Sequence, residues 1–252
     1  LLEHALWIYL AALAGLVVVL LVGKEMFGAR RWLEIGGINF QVSEAAKLAI
    51  ILLLARYLSE VRSECLRLGD LLKVGLLAVV AMVLIAAQPD LGTALTLVPI
   101  VATGVFLAGL RWKHVAALVL VALLVVPAGW YLLRPYQRER LVTFLNPWQS
   151  PRGSGYQTLQ SQIAIGSGGF WGKGVGKGSQ NQLGFIPVRH AEFIMAAYAE
   201  EQGFAGVLVG LLLYLTLLLR LVYNAETALD RAGAFIVAGV ASLLLFHLLV
   251  NV

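Results

Sequence analysis

Charge-free apolar runs constrain this chain more than any other feature. They occupy residues 5–22, 91–110, 115–133 and 202–219, and a further run extends from Ala232 almost to Val252. One bilayer crossing takes about 20 apolar residues, and each run reaches or nearly reaches that length. Two shorter segments join them, Val74–Ala87 between Lys73 and Gln88, and Leu48–Ala55 between Lys47 and Arg56. The second is long enough to span only if Glu44 and Lys47 belong to its helix. The pattern predicts an all-α, polytopic membrane helix bundle with seven crossings, at about 4–22, 43–58, 74–88, 91–110, 115–133, 192–219 and 232–250.

Composition agrees. Of the 252 residues, 60% are hydrophobic and 13% charged, about half the charged fraction of an ordinary soluble domain. The single Cys65 excludes a disulfide scaffold, and its isolation from the four scattered histidines excludes a Cys/His metal site. The net charge of +5 suits anionic lipid as readily as nucleic acid, and no nucleic-acid partner is expected. The first run lacks a basic segment before it and a small-residue cleavage site before Lys24, so it does not read as a cleavable signal. The chain starts without methionine and stops inside an apolar run. It reads as one integral-membrane domain over residues 1–252, the middle of a longer membrane protein.

Residues 134–191 differ from everything around them. They hold ten of the 26 glycines and seven of the 19 basic residues. A connection of this length is usually functional or disordered, and the apolar patches Ile163–Ile165 and Phe170–Trp171 argue against disorder. Assigning loops alternately to two faces puts eight basic residues on one face: Arg56, Arg62, Arg67, Lys73, Arg111, Lys113, Arg220 and Arg231. The other face holds Lys24, Arg30, Arg31 and Lys47 besides the seven of the long loop. The positive-inside rule counts short loops, so eight against four makes the first face cytoplasmic. Segment 134–191 is then a long extracytoplasmic loop whose basic excess asks for an anionic partner.

Ionisable residues at membrane depth are costly and mark functional sites. Glu44 and Lys47 are three apart on one helix face, where they form either a packing ion pair or the charged wall of a substrate cavity. Glu44 follows Ser43 at the expected helix start, where the dipole favours a carboxylate. The segment Gln88-Pro89-Asp90-Leu91-Gly92-Thr93 reads as a tight turn with Asp90 capping the next helix, or as Asp90 facing a cavity shared with Arg31 or Lys47. His190 and Glu192 open the sixth helix, and Glu200 and Glu201 follow two turns later. Glu201 lies about 13 Å along the axis from Glu192, so the two do not act on one bond. Glu192 is either a helix N-terminal charge or a general base. The run Gly172-Lys173-Gly174-Val175-Gly176-Lys177-Gly178 matches neither nucleotide motif; it is a flexible turn or a cradle presenting N–H groups and ammonium charges to a pyrophosphate.

These segments together resemble the SEDS family of bacterial cell-wall proteins, the RodA/FtsW/SpoVE group. The resemblance rests on Gly28–Leu33, Phe40–Lys47 and Gln88–Thr93. In the long loop it rests on Gly155-Tyr156-Gln157, Gln160-Ser161, Ala164–Gly169 and Gly172-Lys173-Gly174. Beyond that come Pro187, His190, Phe193-Ile194, Ala199-Glu200-Glu201 and Gly203. Three positions depart from the family pattern. Val42 stands for a proline, Val188 for a glutamate after the loop proline, and Glu192 for the essential aspartate of His-Thr-Asp-Phe-Ile.

The resemblance implies a ten-helix protein, of which this chain holds the third to the ninth, leaning towards the RodA branch. It implies a peptidoglycan glycosyltransferase of the bacterial cytoplasmic membrane that polymerises lipid II on the outer side, with a class B penicillin-binding protein as partner. Glu192 would deprotonate the attacking sugar hydroxyl, with Glu44 and Lys47 in the catalytic wall. Arg31, Gln88, Asp90, Gln157, Lys173, Lys177 and His190 would contact substrate. A divalent cation, magnesium or manganese, would help neutralise the leaving pyrophosphate, although the sequence shows no dedicated cage for it. A lipid-linked-precursor flippase and an inactive scaffold for a cell-wall synthase are the alternatives.

Overall fold

The computed structural model describes residues 1–26, 29–36, 38–61, 65–132, 138–139, 142–143, 146–149, 155–182 and 194–251. All seven expected spanning helices are present: α1 (Ala5–Val22), α2 (Val42–Glu60), α3 (Leu68–Ala87), α4 (Leu91–Leu107), α5 (Trp112–Leu132), and, after the long loop, α8 (Ile194–Glu226) and α9 (Arg231–Asn251). Among its described residues the loop carries a 3-10 turn at Pro147–Gln149, α6 (Tyr156–Gly168) and the single turn α7 (Ser179–Gln182). Four helices are long and apolar enough to cross a bilayer by themselves: Leu2–Val22, which contains α1, then α3, α8 and α9. With the family evidence below, this makes the chain a multi-pass membrane protein.

The helices fall into two compact units. The first comprises Leu1–Val115 and Leu218–His247, the second Ala116–Leu217 and Leu248–Val252.

In the first unit α2 is the central helix. Eleven of its 19 residues are buried, against four each in α1 and α3. Its neighbours supply Leu16 and Val19 from α1, Ile85 from α3 and Leu97 and Ile100 from α4. This packing explains how a segment carrying Glu44, Lys47 and Arg56 lies within an apolar bundle: protein, rather than lipid, surrounds most of it. Small residues bring the helices close. A Cβ on Gly104 would lie 3.1 Å from Leu58 Cδ1, and one on Gly239 of α9 would lie 3.0 Å from Ile51 Cγ2. The Tyr9 hydroxyl ties α1 to α3 by donating to the Leu77 carbonyl at 2.7 Å.

Between α1 and α2 the chain forms a three-stranded antiparallel sheet that helical periodicity does not announce. Strands β1 (Lys24–Met26), β2 (Ala29–Ile35) and β3 (Ile38–Gln41) lie in that order. Ile35 pairs with Ile38 across a short hairpin connection that begins at Gly36. Gly36 has φ 59°, the region such a turn demands and glycine adopts without strain. β3 runs directly into α2, which places Arg31, Gln41 and Glu44 at one end of the first unit.

Helix α8, whose residues up to Leu217 belong to the second unit, is 33 residues long, about 50 Å, against about 30 Å of bilayer hydrocarbon. It is broken at Gly203, where φ is 67° and ψ −170°. Its charged residues Glu200 and Glu201 precede the break, and no charge follows until Arg220.

Candidate functional site

Lys47 lies on the buried face of α2, its side chain only 2% exposed. Its ammonium reaches Glu44 Oε2 at 2.8 Å, one turn earlier, and His247 Nε2 of α9 at 3.2 Å. Glu44 is 55% exposed, so the carboxylate sits at the rim and the cation below it. Ser43 is buried beside them, and its hydroxyl has no hydrogen-bond partner among the described residues. The ammonium carries three N–H donors and has two partners among the described residues. The cluster therefore keeps hydrogen-bonding capacity for an oxygen-rich group. The sequence analysis did not include His247. Its signal was available, since an ionisable residue inside the last apolar run is a functional candidate by position alone.

Asp90 caps the next helix, as its position in the sequence suggests, and also meets Arg31. It caps α4 by accepting from Thr93 N at 3.2 Å and from the Thr93 hydroxyl at 2.9 Å. It also accepts from Gln41 Nε2 at 3.3 Å and faces Arg31 at 3.8 Å. The Arg31 guanidinium donates as well to the carbonyls of Gln88, at 3.4 Å, and Pro89. Sheet and α3–α4 turn are thus joined at one half-buried arginine. The Gln88 side chain is buried and donates to the Leu16 carbonyl at 3.0 Å, bracing α1.

In the second unit the Gly/Lys run is a strap laid into the break of α8. Lys173 N donates to Glu200 O and Gly174 N to Glu201 O, each at 3.0 Å. In return Phe204 N donates to Gly169 O at 2.9 Å and Ala205 N to Phe170 O at 3.1 Å. The backbones touch with no room for side chains. A Cβ would come within 2.1 Å of Ala199 O at Gly168, 2.2 Å of Glu201 O at Gly172, and 2.2 Å of Gly172 N at Gly203. Four of the seven backbone N–H groups of the Gly/Lys run are already used inside the protein. The N–H groups of Gly172, Lys173, Gly174 and Lys177 all donate inside the protein, to Gly168, Glu200, Glu201 and Gly174 respectively.

The Lys173 side chain is used in the same way. Its ammonium donates to Glu200 Oε1 at 2.8 Å, Ser167 Oγ at 2.7 Å and Ser179 Oγ at 3.0 Å, which uses all three donors. Glu200 is fully buried and also accepts from Ser179 Oγ at 3.2 Å and Gln180 N at 3.0 Å. Lys177 is exposed, and Gln157 lies half-buried in the first turn of α6. Glu192 and His190 lie outside the described residues.

The "cell cycle protein" family model of FtsW, RodA and SpoVE matches residues 1–252, the whole chain. The peptidoglycan glycosyltransferase MrdB of Escherichia coli K12 is 38% identical over 250 residues, covering 98% of this chain and 66% of that protein. Stage V sporulation protein E of Bacillus subtilis 168 is 37% identical over 241 residues, covering 94% and 65%. The chain thus spans just under two thirds of the length of these curated relatives. A solved structure described as "Structural coordination of polymerization and crosslinking by a peptidoglycan synthase complex" aligns with TM-score 0.82 and 35% identity, over 99% of this chain and 69% of that one. The crystal structure of the rod shape determining protein RodA of Thermus thermophilus aligns with TM-score 0.67 and 31% identity, over 99% and 65%. With the helix order and the two buried charge clusters in place, the chain belongs to the FtsW/RodA/SpoVE family of cell cycle proteins.

Proposed function

We propose that the protein containing this chain is a peptidoglycan glycosyltransferase that polymerises lipid II at the outer face of the bacterial cytoplasmic membrane. The observation that carries the proposal is the buried Lys47 ammonium in the first unit, which meets Glu44 and His247 and has two partners for its three donors among the described residues. A charge at membrane depth is retained where it serves a ligand or a transfer step, and an anionic pyrophosphate suits an ammonium with a spare donor. The names of the relatives supply the reaction class, since the similar Escherichia coli protein is a peptidoglycan glycosyltransferase. The outward face follows from the eight-to-four count of basic residues in short loops, which leaves segment 134–191 outside.

In this reading a carboxylate takes the proton from the 4-hydroxyl of the acceptor sugar as that oxygen attacks the anomeric carbon of the donor. The bond from that carbon to the pyrophosphate breaks, the electron pair leaves with the polyprenyl pyrophosphate, and the configuration inverts. Glu192 is the proposed base. Lys47, with Arg31 on the same unit, would stabilise the charge growing on the leaving group. Lys177, exposed on the loop, is the remaining basic candidate for the phosphates. Magnesium or manganese would serve as a counter-ion of the pyrophosphate. A class B penicillin-binding protein is the proposed partner, supported by the similar chain from a complex that coordinates polymerization and crosslinking.

The test uses the full-length protein and fluorescent lipid II. Glu192→Gln keeps size and hydrogen bonding but removes basicity, so polymerisation is expected to fall by about 10²–10⁴ while lipid II binding persists. A Glu192→Gln protein that polymerises at the unmutated rate ends the assignment of the base. An unmutated protein that moves lipid II between leaflets without making glycan is a flippase, and one that does neither is a scaffold.

A further inference from the structure

The glycosyltransferase reading leaves the buried carboxylate of Glu200 without a role. Nothing about packing requires a charge there. The carboxylate is fully buried, and its lysine partner is 27 residues away along the chain. A buried ion pair is weak evidence for stability, because apolar residues of similar volume often serve as well; its best-attested use is to select one arrangement. Here the arrangement is specific. The glycine break in α8 frees backbone groups that lipid cannot satisfy, and the strap Gly169–Gly174 satisfies them with two bonds in each direction. Lys173 is the one side chain of the strap whose ammonium reaches Glu200, and the Ser167 and Ser179 hydroxyls complete its donors.

We propose that Lys173 and Glu200 are a positioning pair, a latch that holds the strap in the break of α8 and thereby fixes the direction of the helix head Ile194–Gln202. That head begins two residues after Glu192, so the latch orients the segment that delivers the proposed base. This role rests on the glycosyltransferase reading. Without the latch, Gly203 is a hinge: its positive φ is unstrained, and the segment before it is joined to the rest of α8 through that residue. The pair acts through backbone geometry and touches no substrate. An alternative use of Lys173 on a phosphate would require it to abandon Glu200, leaving a buried carboxylate without its cation.

The experiment compares unmutated full-length protein in lipid nanodiscs with the double variant Lys173→Met/Glu200→Gln, which preserves volume and strands neither charge. Thermal unfolding, hydrogen exchange at the amides of Lys173, Gly174, Phe204 and Ala205, and lipid II kinetics are read together. The double variant is expected to unfold near the unmutated temperature, to exchange faster at those four amides, and to lose about 10- to 100-fold in kcat, with KM for lipid II unchanged. Lys173→Arg, which keeps a cation for Glu200, is expected to recover most of the kcat. Unchanged exchange refutes the latch. Faster exchange with unmutated kcat reduces the pair to a structural contact and refutes its positioning role. If the unmutated protein makes no glycan, the glycosyltransferase reading and the positioning role built on it both fail, and the exchange data decide the latch alone.

Discussion

In the first unit the lysine of a Lys–Glu pair is buried and the carboxylate lies at the rim; in the second the carboxylate is buried and the lysine reaches towards the surface. The first pair is local, one helix turn apart, while the second joins a loop to a helix across 27 residues. Their saturation differs as well. Among the described residues the Lys47 ammonium has two partners and the buried Ser43 hydroxyl has none, whereas Lys173 spends all its donors and Glu200 accepts from at least three groups. The same two residue types therefore do opposite work. An unsaturated buried charge can receive a ligand; a saturated one can only hold parts of the protein together. Which partner is buried decides which truncation strands a charge.

The comparison breaks or sharpens on three substitutions. The largest effect on stability is expected from Lys173→Met, which leaves the fully buried Glu200 carboxylate without its cation. Loss of one partner of a buried pair costs about 3–5 kcal/mol, read as a lower unfolding midpoint in detergent. Next comes Glu44→Ala, which strands the buried Lys47 ammonium with His247 as its remaining partner. Because that hydrogen bond persists, the expected cost is smaller, about 2–3 kcal/mol by the same measurement. Lys47→Met should cost least, about 1 kcal/mol, because the Glu44 carboxylate it leaves behind is exposed and His247 loses one hydrogen bond. The same variant is expected to lower polymerisation by about 10²–10³, the loss typical of one electrostatic stabiliser of the transition state. Equal stability costs for Lys47→Met and Lys173→Met would show that burial of the partner does not set the penalty. A fully active Lys47→Met enzyme would make the first pair as structural as the second.

Much of this was legible before any coordinates. The positions of the seven long helices follow from apolar runs, and four of them are long and apolar enough to cross a bilayer. Asp90 as a cap and Glu44–Lys47 as a pair follow from spacings of three, which one helix turn enforces. The sheet over Lys24–Gln41 was missed, although Gly36-Gly37 between two extended segments is a hairpin signal. The bond of Gln88 to the Leu16 carbonyl is not legible in the sequence, because an amide at the edge of a helix looks the same whether it meets a ligand or a backbone carbonyl. The packing of the Gly/Lys run is hidden for a similar reason. Its glycines are required by a close backbone approach to α8 at Gly168 and Gly172, and nothing in a linear sequence shows what lies opposite a glycine.

The sequence by itself determined that this chain crosses a membrane, where its helices lie, and that charges at Glu44, Lys47 and Asp90 interrupt apolar surroundings. Those properties are local, because a residue carries its hydrophobicity and its neighbours' spacing wherever the chain goes. Only the tertiary structure decided that His247 meets Lys47, that Lys173 meets Glu200, and which member of each pair is buried. Burial and pairing belong to the packing of segments distant in sequence. The free energy of a charge depends on that surrounding, and not on its own identity.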